Sequence, residues 1–252
     1  MSFLNHINKH KAEETKSRKT DVCTIPCPST NLTRNQTPLF FEVLSKTQTL
    51  CFLTEMKRLS PSKGMFRRLL KTKQLVSLFC QNNSSCLSVL TDQRLFGGDP
   101  SHLIRMREEK GVALLRKDFV ITKYQALEAL VLGAAAILLV ASLLSRKKAD
   151  RIGGWAERLG LSVVLEVNNH QELVAVRFLA PKVVGINNRD INTFKISFIR
   201  TVKLASCVPS DCSVIIESGI KTERDLWEFV SWGFNCFLIG ELLMGCFGVR
   251  NQ

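Results

Sequence analysis

Eight short apolar runs recur through this chain, and their spacing constrains the fold more than any other feature. They are CFLTEMK from Cys51, CLSVLTD from Cys86, ALLRKDF from Ala113, AILLVAS from Ala136, SVVLEVN from Ser162, VVGINNR from Val183, SVIIESG from Ser213 and CFLIGEL from Cys236. Their starts lie roughly 20 to 35 residues apart, about the length of one strand–helix unit. Stretches of helical character separate them, among them YQALEALVLG, ADRIGGWAERLG, HQELVAVRFLA and ERDLWEFVSWG. Several of these close in Gly, as a helix C-terminus does. The runs are continuous rather than alternating, which is the pattern of strands covered by helices in a parallel sheet. Eight such units in about 200 residues predict an α/β fold, a (β/α)8 TIM barrel. An open doubly wound sheet is the alternative, but the first strand–helix turn lacks its G-x-G-x-x-G signature.

The residues before Cys51 have a different character. FLNHINKHKAEETKSRK predicts a helix over about residues 3–19, residues 20–37 read as a Pro-, Thr- and Asn-rich loop, and PLFFEVLSK reads as a second short helix. The chain therefore divides into an N-terminal helical extension and linker, residues 1–48, and a barrel, residues 49–252. The polar N-terminus has no apolar core or cleavage site, so it is not a secretory signal. No apolar run reaches the roughly 18 residues a bilayer requires, the longest being Ala134 to Leu144. A cytoplasmic protein without membrane contact is expected. The nine cysteines form no paired framework, and Cys23 and Cys27 lack the second pair or His cluster of a zinc site. They read as reduced thiols used as small hydrophobes, and no metal is expected.

The net charge is +13, and residues 1–73 hold 14 Lys plus Arg against 5 Asp plus Glu. Such a surface suits nucleic acid or acidic lipid, but no exposed aromatics interleave with it and no nucleic-acid motif is present. An anionic small molecule is the better match for bases that converge on one site.

In a barrel, catalytic groups collect at the C-terminal ends of the strands. Here the first strand ends in Glu55 and Lys57, the third in Lys117 and Asp118, and the fifth in Glu166. The sixth ends in Asn187, Asn188 and Arg189, the seventh in Glu217, Ser218 and Gly219, and the eighth in Gly240. Buried unpaired charge costs several kcal/mol, so these groups must be paired, solvated or used. Pairing with neighbours accounts equally well for Glu55, Asp118 and Arg189. Lys117 and Glu166 each stand alone among apolar residues, where desolvation is expected to bring their pKa toward a catalytic range. Residues two apart share a face, so Glu55 points with Lys57 and Asn187 with Arg189. Gly-rich ends of the seventh and eighth strands are where barrels commonly hold phosphate, and Ser60 in SPSKG offers a further hydroxyl.

At these residues the sequence resembles indole-3-glycerol phosphate synthase. The motifs are EMKRLSPSKG, LSVLTDQRLFGG, LLRKDFVITKYQ, GAAAILLVASLL, LEVNNHQEL, GINNRDINTF, IIESGI and FLIGELLM, in family order between Phe40 and Met244. The leading helix resembles the family's extra helix, which helps cover the barrel. The resemblance implies ring closure of 1-(2-carboxyphenylamino)-1-deoxyribulose 5-phosphate to indole-3-glycerol phosphate, with loss of carbon dioxide and water and no cofactor. It makes Lys117 the general acid on the substrate carbonyl. Lys57, with Glu55 nearby, would hold the substrate carboxylate, and Glu166 would serve the later steps. Asn187, Arg189, Glu217 and Ser218 would line the pocket, while Ser60, Gly219, Gly240 and Glu241 would hold the phosphate. A lysine acid works best with a pKa lowered toward neutrality, an effect expected here from Lys57 and Arg116. A monomer or weak dimer, in possible association with other tryptophan-pathway enzymes, completes the expectation.

Departures from the family pattern are the Asp21–Pro38 segment, QNNSSC before the second strand, and a tail of eight residues after Met244 where a full closing helix is usual. Phosphoribosylanthranilate isomerase is the nearest enzymatic alternative, but its Cys/Asp pair is missing from the first strand. A decayed barrel kept as a scaffold is the non-enzymatic one; the intact set from Glu55 to Gly240 argues against it.

Overall fold

The computed structural model describes residues 3–18, 40–45, 50–56, 59–60, 64–65, 86–107, 112–190 and 193–240; of 56, 59–60 and 64–65 the backbone alone is described. The eight apolar runs form the strands β1 (Cys51–Met56), β4 (Cys86–Leu90), β5 (Ala113–Lys117), β6 (Ala136–Val140), β7 (Ser162–Val167), β8 (Val183–Asn187), β9 (Ser213–Glu217) and β10 (Cys236–Ile239). They close into one parallel barrel in the order β1-β10-β9-β8-β7-β6-β5-β4. Two further strands of two residues each, β2 (Leu59–Ser60) and β3 (Gly64–Met65), make an antiparallel hairpin in the loop after β1.

Alternation along the strands sorts their side chains into two sets, one facing inward and one facing outward. One set of side chains fills the barrel interior, including Cys51, Leu53, Cys86, Leu115, Leu138, Val164, Ile215 and Leu238. The other set, including Val89, Leu114, Ile137, Leu139, Leu165 and Val184, packs under the surrounding helices. Cys51, Cys86 and Cys236 are free thiols inside the barrel. Burial pushes the Cys86 thiol far up, so it stays protonated and acts as the small hydrophobe its context predicts.

The outer helices are α3 (Gln93–Phe96), α4 (Ser101–Arg107), α5 (Lys123–Val131), α6 (Arg146–Arg158), α7 (His170–Val176), α8 (Phe198–Ala205) and α9 (Glu223–Ser231). From α5 onward each begins at a Ser, Thr or Asn whose side chain caps the free N–H groups of the first turn: Thr122, Ser145, Asn169, Ser197 and Thr222. These caps fix the point at which each chain leaves the catalytic end of the barrel. No helix among the described residues is long and apolar enough to cross a membrane.

The extension grips both ends. Helix α1 (Phe3–Arg18) crosses the end where the strands terminate. Its Asn8 Nδ2 donates to Leu143 O at 3.3 Å, in the turn after β6. Tyr124 Oη, in the first turn of α5, donates to Arg18 O at 2.7 Å. Phe3 stacks edge-on against Phe194, in the loop after β8, at 6.0 Å. Helix α2 (Phe40–Ser45) sits at the opposite end, where Ser162 at the start of β7 meets Phe41 N at 3.4 Å, and Phe40 and Leu44 join the barrel core. The predicted loop over 20–37, residues 81–85 of the QNNSSC run that leads into β4, and the tail after Met244 lie outside the described residues.

Candidate active site

Lys117 ends β5, and β9 lies diametrically across the barrel from it. The two nonetheless touch: Lys117 Nζ is 2.5 Å from Glu217 Oε2, and 3.5 Å from Glu55 Oε2 at the end of β1. Only side chains pointing inward from three strands can meet this way. Glu217 and Glu55 are buried, at 0% and 7% exposure, and the lysine alone of the three is partly open to solvent. Glu166 of β7 adds its charge to both Lys117 and Glu217. Its Oε1 accepts a hydrogen bond of 2.9 Å from Asn187 Nδ2, and Asn187 Oδ1 accepts one of 3.0 Å from Arg189 N.

The expectation of a lowered lysine pKa is overturned. Burial alone would lower the Lys117 pKa, but Glu217, Glu55 and Glu166 outweigh it and hold it above the ordinary lysine value. Arg116 cannot push it down, because alternation sends its guanidinium to the far side of β5. There it donates to Thr91 Oγ1 at 3.1 Å and to Gln125 O at 2.9 Å, and pairs with Asp118 at 3.1 Å and Glu128 at 2.7 Å. Nor does Lys117 stand alone on its strand end. The structural reading of Asp118 is the right one: it is a buried partner of Arg116 and of Lys11.

Glu217 moves the other way. Burial raises its pKa, Lys117 opposes, and Glu166 and Glu55 reinforce, leaving it pushed up to about 7. Its Oε1 finds no hydrogen-bond partner among the described residues. Gly185 on β8 makes room for that oxygen: a Cβ at this position would collide with Glu217 Oε1. A close approach of backbone to carboxylate is one of the uses only glycine serves.

The loop after β9 turns through two successive left-handed residues, Ser218 (φ 66) and Gly219 (φ 87). A left-handed serine is strained by about 1–2 kcal/mol, so something must hold it. Buried Asn188 does: its Nδ2 donates to Ser218 O at 2.6 Å, while its Oδ1 accepts from the Thr201 hydroxyl. Gly240, the first residue beyond the barrel's last strand β10, faces Glu55, where a Cβ would lie 3.4 Å from Glu55 Cβ.

The structure thus brings Glu55, Lys117, Glu166, Asn187 and Glu217 together, with Arg189, Ser218, Gly219 and Gly240 on the same rim. Lys57 and Glu241 lie outside the described residues, and of Ser60 only the backbone is described, in β2. Sequence reasoning missed Gly185, the anchoring role of Asn188, and Lys11. The signal for Lys11 was available: Ile7, Lys11 and Thr15 follow one another at the four-residue helical spacing, and all three are buried.

A closed parallel barrel with a lysine among three carboxylates at its C-terminal rim defines a (β/α)8-barrel enzyme. A solved N-acetylmannosamine-6-phosphate 2-epimerase from Clostridium perfringens shares the fold, with a TM-score of 0.58 at 13% identity over 80% of this chain and 89% of that one. The family model of indole-3-glycerol phosphate synthase matches residues 4–252. An indole-3-glycerol phosphate synthase of Legionella pneumophila (strain Paris) is 37% identical over 246 residues, covering 96% of this chain and 93% of the relative. Another, from Zymomonas mobilis subsp. pomaceae, is 37% identical over 219 residues, 85% of this chain and 83% of the relative. The chain belongs to the indole-3-glycerol phosphate synthase family, and it is accordingly a carboxy-lyase of tryptophan biosynthesis.

Proposed function

We propose that Lys117 is the proton donor in the decarboxylating, dehydrating ring closure of 1-(2-carboxyphenylamino)-1-deoxyribulose 5-phosphate. The observation that carries this is the position of its ammonium: partly open to solvent, at the mouth of the barrel, 2.5 Å from Glu217. As the carbon bearing the substrate carboxylate bonds to the carbonyl carbon, the carbonyl oxygen takes a proton from Lys117. Loss of carbon dioxide returns its bonding pair to the ring, and the new hydroxyl then leaves as water with one more proton. The adjacent ring carbon, the former C1 of the deoxyribulose, releases a proton to complete the indole double bond. Glu217, with a pKa near neutrality, suits the return of a proton to Lys117 across their shared contact.

The surrounding acids set the remaining roles. Three carboxylates around one lysine repel an anionic substrate, so cations must anchor its two anionic groups. In this reading Lys57 takes the carboxylate, with Glu55 beside it, and Arg189 orients the substrate together with Asn187 and Ser218. Glu166 stabilises positive charge that develops on the amine, held in orientation by Asn187. The left-handed turn at Ser218–Gly219 supports a phosphate site there with Ser60, Gly240 and Glu241, because such turns present backbone N–H groups to an anion. Residues 1–48 act as an extension of the barrel. The same reading has the protein working in the cytoplasm as a monomer or weak dimer, in association with other enzymes of the pathway.

The test is direct. Purified protein is incubated with the substrate and indole fluorescence is followed. The parent enzyme is expected to form product, and Lys117→Ala to be slower by a factor on the order of 10²–10⁴. No product from the parent, or equal rates, would overturn the assignment.

A further inference from the structure

Lys11 poses a question that packing does not answer. It lies in the middle of α1, it is 1% exposed, and its neighbours on the buried face are Ile7 and Thr15. A lysine there must shed its water, and a buried ion pair contributes little to stability compared with well-packed apolar groups. Yet its Nζ lies 2.6 Å from Asp118 Oδ1, 2.7 Å from Asp92 Oδ2 and 2.9 Å from Glu14 Oε2. Burial would lower its pKa, but Asp118 and Asp92 outweigh this and keep it charged.

The two aspartates say what the lysine is for. Asp118 directly follows Lys117, and its carboxylate points to the opposite side of the strand end. Besides Lys11, it accepts from Thr91 Oγ1 at 2.6 Å, from Arg116 at 3.1 Å and from Phe119 N at 2.8 Å. Asp92 sits beyond the end of the adjacent strand β4, which is joined to β5 at this level by a 3.2 Å hydrogen bond from Thr91 N to Lys117 O. One ammonium therefore ties α1 to two neighbouring strand ends. With Asp118 held from every side, the peptide that carries Lys117 is fixed, and so is the direction in which its side chain leaves the strand.

We propose that the Lys11–Asp118 ion pair is a positioning device for Lys117: helix α1 reaches across the rim and locks the strand end that aims the proton donor. Neither residue touches the reacting atoms in this scheme. The expected signature is a loss in kcat with substrate affinity retained, because the donor is misaimed while the groups that bind the substrate's anions stay in place. A donor displaced by about 1 Å is enough to cost up to about a hundredfold in rate.

Lys11→Met and Asp118→Asn, alone and together, separate aiming from simple support. The single Lys11→Met variant leaves Asp92 and Asp118 facing each other without their cation, and it loses stability along with rate. The double variant removes one charge of each sign, so its thermal unfolding moves back toward that of the parent. Assayed well below its melting temperature, the double variant is expected to keep KM within about twofold and to lose about tenfold or more in kcat. A double variant with parental kcat, or one whose loss lies in KM alone, overturns the proposal. Lys11→Arg serves as the second, charge-conserving probe, because a planar fork cannot repeat the single-point contact. A kcat reduced about threefold or more supports the device, and parental kcat overturns it. The inference rests on Lys117 as the acid, and Lys117→Ala in the same assay keeps the two apart. If that variant runs at the parental rate, both readings fall. If it is dead while the double variant is unimpaired, only the positioning role falls.

Discussion

Glu217 and Lys117 share one contact of 2.5 Å, yet their surroundings push both pKa values up. The lysine rises because three carboxylates want it charged. The glutamate rises because it is buried and has two other acids for company. A carboxyl with a folded pKa of about 7, against an ordinary 4.5, binds more protons in the native than in the unfolded state between those values. Stability contributed by this group therefore falls as pH rises from about 4.5 to about 7. Lys117, with its pKa raised above 10.5, keeps its contribution throughout that window and loses it only at far higher pH. Asp118, held well below the usual carboxylate range by Lys11 and Arg116 against the opposing effect of burial, loses its own only at lower pH. Of these three groups, only Glu217 changes its contribution within the window. Urea unfolding at pH 5 and pH 8 is expected to show the parent losing on the order of 1–3 kcal/mol more than Glu217→Gln between the two. Equal slopes for the two proteins would mean that Glu217 titrates in its ordinary range. The ionisable character of this residue was legible in the sequence, since a glutamate ending an apolar strand must be paired or used. Its shift was not, because the partners come from strands across the barrel, about 50 to 160 residues away in the chain.

At the scale of elements, the loop between β5 and α5 shows how local chemistry holds a catalytic strand end. Thr122 caps α5 and Gln125 answers it in a capping box. The Gln125 side chain does more: its Oε1 accepts from Ile121 N at 2.8 Å and its Nε2 donates to Phe119 O at 3.0 Å, bracing the five residues that follow Lys117. Thr122→Ala removes the cap and leaves that brace. It is expected to cost about 1 kcal/mol by thermal unfolding with kcat unchanged; a large drop in kcat would mean that the cap itself shapes the site. Capping residues and apolar runs are local signals, which is why the strands and most helices could be read from sequence. The role of α1 was read only in part. Its composition says helix, and the position of Lys11 on the buried face hints at a partner. Nothing local says that this partner is the residue next to the catalytic lysine.

Over the whole molecule, the extension works on two faces that a barrel normally keeps separate, with chemistry at the C-terminal ends of the strands and stability at the other end. Helix α1 lies on the first, through Lys11, Asn8 and Phe3. Helix α2 lies on the second, where Phe40, fully buried, closes the barrel floor together with Leu44. A separate N-terminal domain would unfold on its own and leave the barrel's stability untouched. An extension whose side chains belong to the barrel core must unfold with it. Phe40→Ala distinguishes the two arrangements, because it empties a site at the end remote from Lys117. It is expected to lower the stability of the whole protein by about 3–5 kcal/mol, in a single urea transition followed by tryptophan fluorescence. Trp155, Trp227 and Trp232 all lie on or beside the outer helices α6 and α9, so their signal reports the barrel and not the extension. Under conditions where the variant is folded, its kcat is expected to match the parent's. A transition that leaves the tryptophan midpoint unmoved would make the extension an independent unit. A loss of kcat in the folded variant would mean that the floor of the barrel reaches the chemistry after all.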